Sequence, residues 1–199
     1  MQNDYLVEVR HTFESIAEQV DQSFSKLTER QLNWKPVPDA WSIAQCLDHL
    51  MTINQLYFPQ FKAIGDETYT PRFWHKVPLL EKLWGSLLRK SVEPSNKKKS
   101  KTFAMFNPAI SDSRVTILKE FQQHQIELIR LLDRTEGVDH KKVKVNSPAS
   151  RFVTLSLENC WKILASHEER HFRQAKRLTE MPRFPKARVN RIEPSSIST

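Results

Sequence analysis

Three glycines in 199 residues, Gly65, Gly85 and Gly137, leave no room for a glycine-rich phosphate loop. The same scarcity argues against an all-β fold built on tight turns. Cysteine is almost as rare: Cys46 and Cys160 are too few for a disulfide framework and suit a reduced, cytoplasmic protein. No uninterrupted apolar run approaches the roughly 18 residues of a membrane span. The opening "MQNDYLVEVRHTF" carries acids and no apolar core, so no signal peptide is expected.

Charge is present but unevenly placed. The net formal charge is +8, of which "KKKSK" at 97–101 supplies +4 and the stretch after Pro182 supplies +3. The remainder carries only +1. A basic loop and a basic tail on a near-neutral body argue against a nucleic-acid footprint. One domain over 1–181 and a tail over 182–199 follow from this division.

Apolar spacing of three and four predicts helices. The first covers 4–28, with Leu6, Val9, Phe13, Ile16, Ala17, Val20, Phe24 and Leu27 inward. The second opens at Ser42, which forms a capping box with Gln45. It runs through "SIAQCLDHLMTINQLYF" and holds Ile43, Cys46, Leu47, Leu50, Ile53, Leu56 and Tyr57, and Pro59 kinks or ends it. Residues 65–110 read as a long irregular segment, with Trp74 and Trp84 as candidate pocket residues. A third helix begins near Ser111 or Asp112, buries Val115, Leu118, Phe121, Ile126, Leu128, Ile129 and Leu132, and stops near Gly137. The connection over 138–153 contains a short extended piece at "KKVKV". The last helix spans 156–179, capped by Ser156 or Thr154. Four long helices with almost no strand signal predict an all-α four-helix bundle, with the irregular segment between helices 2 and 3.

The last helix carries "SHEERHFRQAKRL", with His167 and His171 four apart and therefore on one face. Cys160, Leu164, Ala175 and Leu178 continue that stripe, so both imidazoles point into the core. His49 occupies the inner stripe of the second helix. A lone histidine on such a stripe is ordinarily a hydrogen-bonded core residue, but three on facing helices form a metal site. Three nitrogen ligands leave coordination positions open for substrate. Such ligation suits zinc, nickel, iron or copper, and manganese is a further candidate. His167, Glu168 and His171 also spell H-E-x-x-H, which would make Glu168 a general base. A peptidase would need a downstream third ligand and a substrate-binding strand, and neither is evident. Glu168 therefore stays a candidate base only for some other hydrolysis. Cys46 and Cys160 read as core residues, with metal ligation or redox pairing as the alternative. Trp34, Trp41 and Trp161 read as core and connector packing. Asp48 and Gln174 are candidate second-sphere partners of the imidazoles, or simply surface residues.

Two stretches resemble the DinB-like superfamily. "LNWKPVPDAWSIAQCLDHL" is similar to its N-terminal signature of Trp-x-Pro, Trp-Ser and a helix reaching a His-Leu step. "TLSLENCWKILASHEERHFRQAKRL" is similar to its C-terminal signature, H-x-x-x-H followed by glutamine three residues on. The matching positions are His49, His167, His171 and Gln174, and the resemblance covers about residues 1–180. It implies a four-helix bundle with a three-histidine divalent metal site, often in a homodimer. It further implies, for some members, S-transfer with a low-molecular-weight thiol such as bacillithiol, mycothiol or glutathione; a related branch isomerises maleylpyruvate. The expectation is a metal-dependent thiol S-transferase acting on a small-molecule substrate. A metal-dependent hydrolase and a non-enzymatic metal-binding interaction module are the alternatives.

Overall fold

The computed structural model describes residues 4–70, 116–148 and 150–186. Expectations for Trp74, Trp84, Val115 and "KKKSK" lie outside the described residues. Six helices and one hairpin run in the order α1 (Tyr5–Phe24), α2 (Glu29–Leu32), α3 (Ile43–Gln55), α4 (Phe58–Gly65), α5 (Ile117–Arg134), β1 (Lys144–Ser147), β2 (Ser150–Ser156) and α6 (Leu157–Thr179) among those residues. The architecture is an all-α bundle. α1 and α3 each pack against both α5 and α6.

Local chemistry sets most boundaries. α1 buries Val9, Phe13, Ile16, Val20 and Phe24, one apolar residue per turn. Thr28 and Gln31 form a reciprocal capping box on α2, and Ser42 and Gln45 form another on α3. Pro59 sits in the first turn of α4, where its missing N–H costs nothing, so the expected kink is a break into a second helix. Ser156 caps α6, accepting from the Asn159 amide at 3.2 Å.

Two expectations need correcting. The connection before α6 holds an antiparallel hairpin, with Lys144 opposite Ser156 and Val145 opposite Leu155. Only its first strand overlaps the expected extended piece. The Gln60 side chain covers the edge of β1, donating to the Asn146 carbonyl at 3.0 Å and accepting from the Asn146 amide at 2.8 Å. A side-chain amide thus stands where a third strand would pair. On α5, Ile126 is not inward but 62% exposed, whereas His124 and Gln125 are buried. The buried positions are Ile117, Phe121, His124, Gln125, Leu128, Leu131 and Leu132, a regular stripe with two polar members. α5 ends at Arg134, three residues before Gly137, so that glycine does not cap it.

The core has two parts. Around fully buried Trp161, Phe61 stacks at 4.0 Å between ring centres and Phe13 meets it edge-on at 6.3 Å. The other part gathers Val20, Phe24, Leu47, Leu50, Phe121 and Phe172. Packed chain also extends past residue 181: Phe184 meets Trp34 edge-on at 5.5 Å, and Gln31 donates to the Pro185 carbonyl at 2.8 Å.

α4 and α5 touch at Gly65, where an added Cβ would lie 2.9 Å from the Arg134 Cβ and 3.2 Å from the Arg134 carbonyl oxygen. Neither atom is a movable side-chain end. Gly65→Ala gains at most about 1 kcal/mol of helix propensity but forces overpacking that costs about 1–3 kcal/mol. A lower urea midpoint is expected. An unchanged or higher midpoint would show that the two helices are free to separate.

Candidate metal centre

Each predicted ligand arrives on a helix whose start is fixed. The Ser42 cap sets α3, and the inner stripe of that helix brings His49 to 3% exposure. The Ser156 cap and the hairpin set α6. Its first amides are satisfied from the preceding segment, Leu157 N–H by the Val143 carbonyl at 2.9 Å and Glu158 N–H by the His140 carbonyl at 3.0 Å. His140 is itself pinned: its Nε2–H donates to the Thr135 carbonyl at 2.6 Å, while the Tyr5 hydroxyl donates to its Nδ1.

His49, His167 and His171 come together. Each offers a ring nitrogen, and these atoms lie within 4.8 Å of one another. Nε2 of His49 is 3.2 Å from Nε2 of His167. Two nitrogens at about 2.0–2.1 Å from a tetrahedral ion would be about 3.3 Å apart, so this pair already fits one. Ring centres are separated by 5.1 Å (His49–His167), 4.7 Å (His49–His171) and 4.6 Å (His167–His171).

The electrostatics favour lone pairs over protons. Burial first, then His49 and Arg170, push the His167 pKa down to about 3. Burial, His167, His49 and Arg170 hold His171 well below its ordinary value, opposed by a Gln174 contact. Both rings are neutral at pH 7. The Nδ1 atoms of His167 and His171 are buried and have no hydrogen-bond partner among the described residues. The facing Nε2 atoms of His49 and His167, not these Nδ1 atoms, are the pair that a cation would share without a proton.

The sequence profile of the DinB superfamily matches residues 12–175. The chain belongs to the DinB superfamily. No curated protein and no solved structure matches it. The match takes in all three histidines, and a three-histidine group able to hold a metal ion fits a metal-binding DinB protein.

Trp41 and Asp48 fall where the sequence did not put them, whereas Cys46 and Cys160 are core residues as expected. Trp41, expected in connector packing, stacks on His171 at 5.5 Å and 24° and lies 4.7 Å from the His49 ring. It walls the site from the residue just before the α3 cap. Asp48 is 6% exposed, not a surface acid, and lines a groove of about 740 Å³ between α3 and α5 with Met51, Phe58, Lys119 and His124. Cys46 and Cys160 are buried free thiols outside the three-histidine group. Burial raises Cys46 to about 12 and Cys160 further.

Glu168 turns away from the imidazoles into the junction of α3, α5 and α6, fully buried. One oxygen accepts from Asn54 Nδ2 at 2.7 Å and the other from Gln125 Nε2 at 2.8 Å. Asn54 Nδ2 also lies 3.1 Å from Nε2 of His124, on whose ring Phe58 stacks. With both oxygens engaged by amides, the carboxylate has the setting of a core polar group. Asn54, His124 and Gln125 had escaped notice, although all three lie on the inward stripes of their helices.

Burial raises the Glu168 pKa from 4.5 to about 7, against the pull of Gln125 and Asn54. The native state therefore holds a proton that the unfolded chain has already released between pH 4.5 and 7. Stability is lost as pH rises through that window, by up to about 3 kcal/mol. Glu168→Gln should remove this loss, so that its stability advantage over the parent grows from pH 4.5 to pH 7 and then levels off. Denaturant melts of both proteins across that range give the difference directly. A constant difference would mean that Glu168 titrates normally.

Proposed function

We propose that His49, His167 and His171 hold a divalent metal ion and that the protein uses it to join a low-molecular-weight thiol to a small electrophile. The observation that carries this reading is the convergence of three imidazoles from α3 and α6, those of His49 and His171 buried, without a carboxylate or thiol among them. Three protein nitrogens leave room for further ligands, the arrangement of a reactive site and not of a closed structural one. A bound ion there supplies Lewis acidity, which favours thiolate over thiol.

The chain's own part is to hold and to exclude. His49 comes from one helix and His167 and His171 from another, so the ligand set exists only in the folded bundle. Trp41 packs over the rings of His49 and His171 and covers that side of the site. In the transfer the sulfur lone pair forms the new C–S bond, the leaving group departs with its bonding pair, and the thiol proton passes to solvent.

Elemental analysis of the purified protein should find close to one divalent ion per chain, and His49→Ala should lose it while keeping its helical circular dichroism. The His49 variant is decisive because that residue is distant in sequence from the other two. Conjugation assays with bacillithiol, mycothiol, glutathione and coenzyme A, with and without added zinc, nickel, iron, copper or manganese, then test the reaction. Metal bound but no turnover with any thiol would leave a binding module, and metal retained by His49→Ala would remove the site itself.

A further inference from the structure

α3 and α6 carry the three histidines, so the separation of these helices sets the distance between His49 and His167. Apolar contacts between them are tolerant of small slides. The hydrogen bond in which the Glu168 carboxylate accepts from Asn54 Nδ2 at 2.7 Å, across the same helix pair, is not. Glu168 directly follows His167, and Asn54 lies five residues beyond His49, about 7.5 Å along the helix axis. A metal site requires its ligands within about 0.5 Å of the working geometry.

The contact is costly where it stands. Glu168 and Asn54 are both fully buried, and among the described residues the Asn54 Oδ1 and Gln125 Oε1 atoms have no hydrogen-bond partner. A buried carboxylate paired only with amides is ordinarily no more stable than a well-packed aliphatic residue in its place. Fold stability therefore does not account for it, and its position beside the imidazoles does.

We propose that the Asn54–Glu168 hydrogen bond is a clasp that fixes the register of α3 against α6, making Glu168 and Asn54 positioning residues for the three-histidine site. This deepens the reading of that site as a metal centre and rests on it. The Gln125 hydrogen bond ties Glu168 to α5 instead, a helix that carries none of the three histidines, and serves only to satisfy the second oxygen.

The test separates metal affinity from fold stability. Zinc affinity is measured by competition with a chromophoric chelator, and thermal melts are recorded on metal-free protein. Glu168→Leu and Asn54→Leu cut the clasp and should weaken zinc binding about 10- to 100-fold. Glu168→Leu should melt at or above the parent. Glu168→Gln retains an acceptor for Asn54, and a flipped Gln125 amide accepts from its new NH₂, so zinc affinity should be restored to within about threefold. Gln125→Leu should bind zinc like the parent even where it melts lower. Parent-like affinity in both clasp-cutting variants, or equal weakening in Gln125→Leu, would overturn the proposal. Should the leucine variants lose their cooperative melt, Asn54→Ala, which only trims, carries the same comparison. A readout without metal is the cross-ring nuclear Overhauser contact between His49 and His167, expected in the parent and Glu168→Gln and lost when the clasp is cut. A parent that binds no zinc removes the metal reading and leaves the clasp to be judged on that contact alone; its persistence in the cut variants would sink it.

Discussion

Desolvation of three imidazoles in one place is unfavourable unless they stay neutral and unless something holds them there. Packing of α3 against α6 does both. It buries His49 and His171 and drives the His171 ring toward the unprotonated form. The rest of the bundle serves that contact: α1 and α5 cover the remaining sides of the pair, and Trp161 with Phe61 fills the space at the hairpin end.

Two polar systems sit close together and do different things. The imidazoles converge, and Nδ1 of His167 and of His171 lies buried without a partner among the described residues. The carboxylate one residue away is enclosed by amide donors from two other helices. Their separation follows from helix geometry, since adjacent residues point about 100° apart. A motif written as letters puts His167 and Glu168 side by side, whereas the helix sends one to His49 and the other into the junction with Asn54 of α3 and Gln125 of α5.

Features decided within a few residues were legible in the sequence. Ser42 with Gln45 announced the start of α3, Ser156 or Thr154 the start of α6, and the four-residue spacing of His167 and His171 their common face. What depended on distant partners was not. Ile126 reads as core by its chemistry, yet the α5 stripe runs through His124 and Gln125, because Asn54 and Glu168 await them across the junction. Trp41 belongs to a connector without periodicity, so nothing local could place it over two imidazoles. The hairpin eluded the reading because β1 is four residues long and gains its identity from its register with β2 and the Gln60 side chain.

β2 runs into α6 without an intervening loop: Ser156 is at once the last residue of the strand, opposite Lys144, and the cap of the helix. The ladder therefore acts as a protractor. Adding or deleting one residue at that junction, while the strands keep their pairing, would rotate α6 by about 100° about its own axis and swing His167 and His171 off the bundle interior. The same change in the turn between the strands would leave the angle alone. Length variation along this part of the chain is therefore harmless on one side of β2 and ruinous on the other.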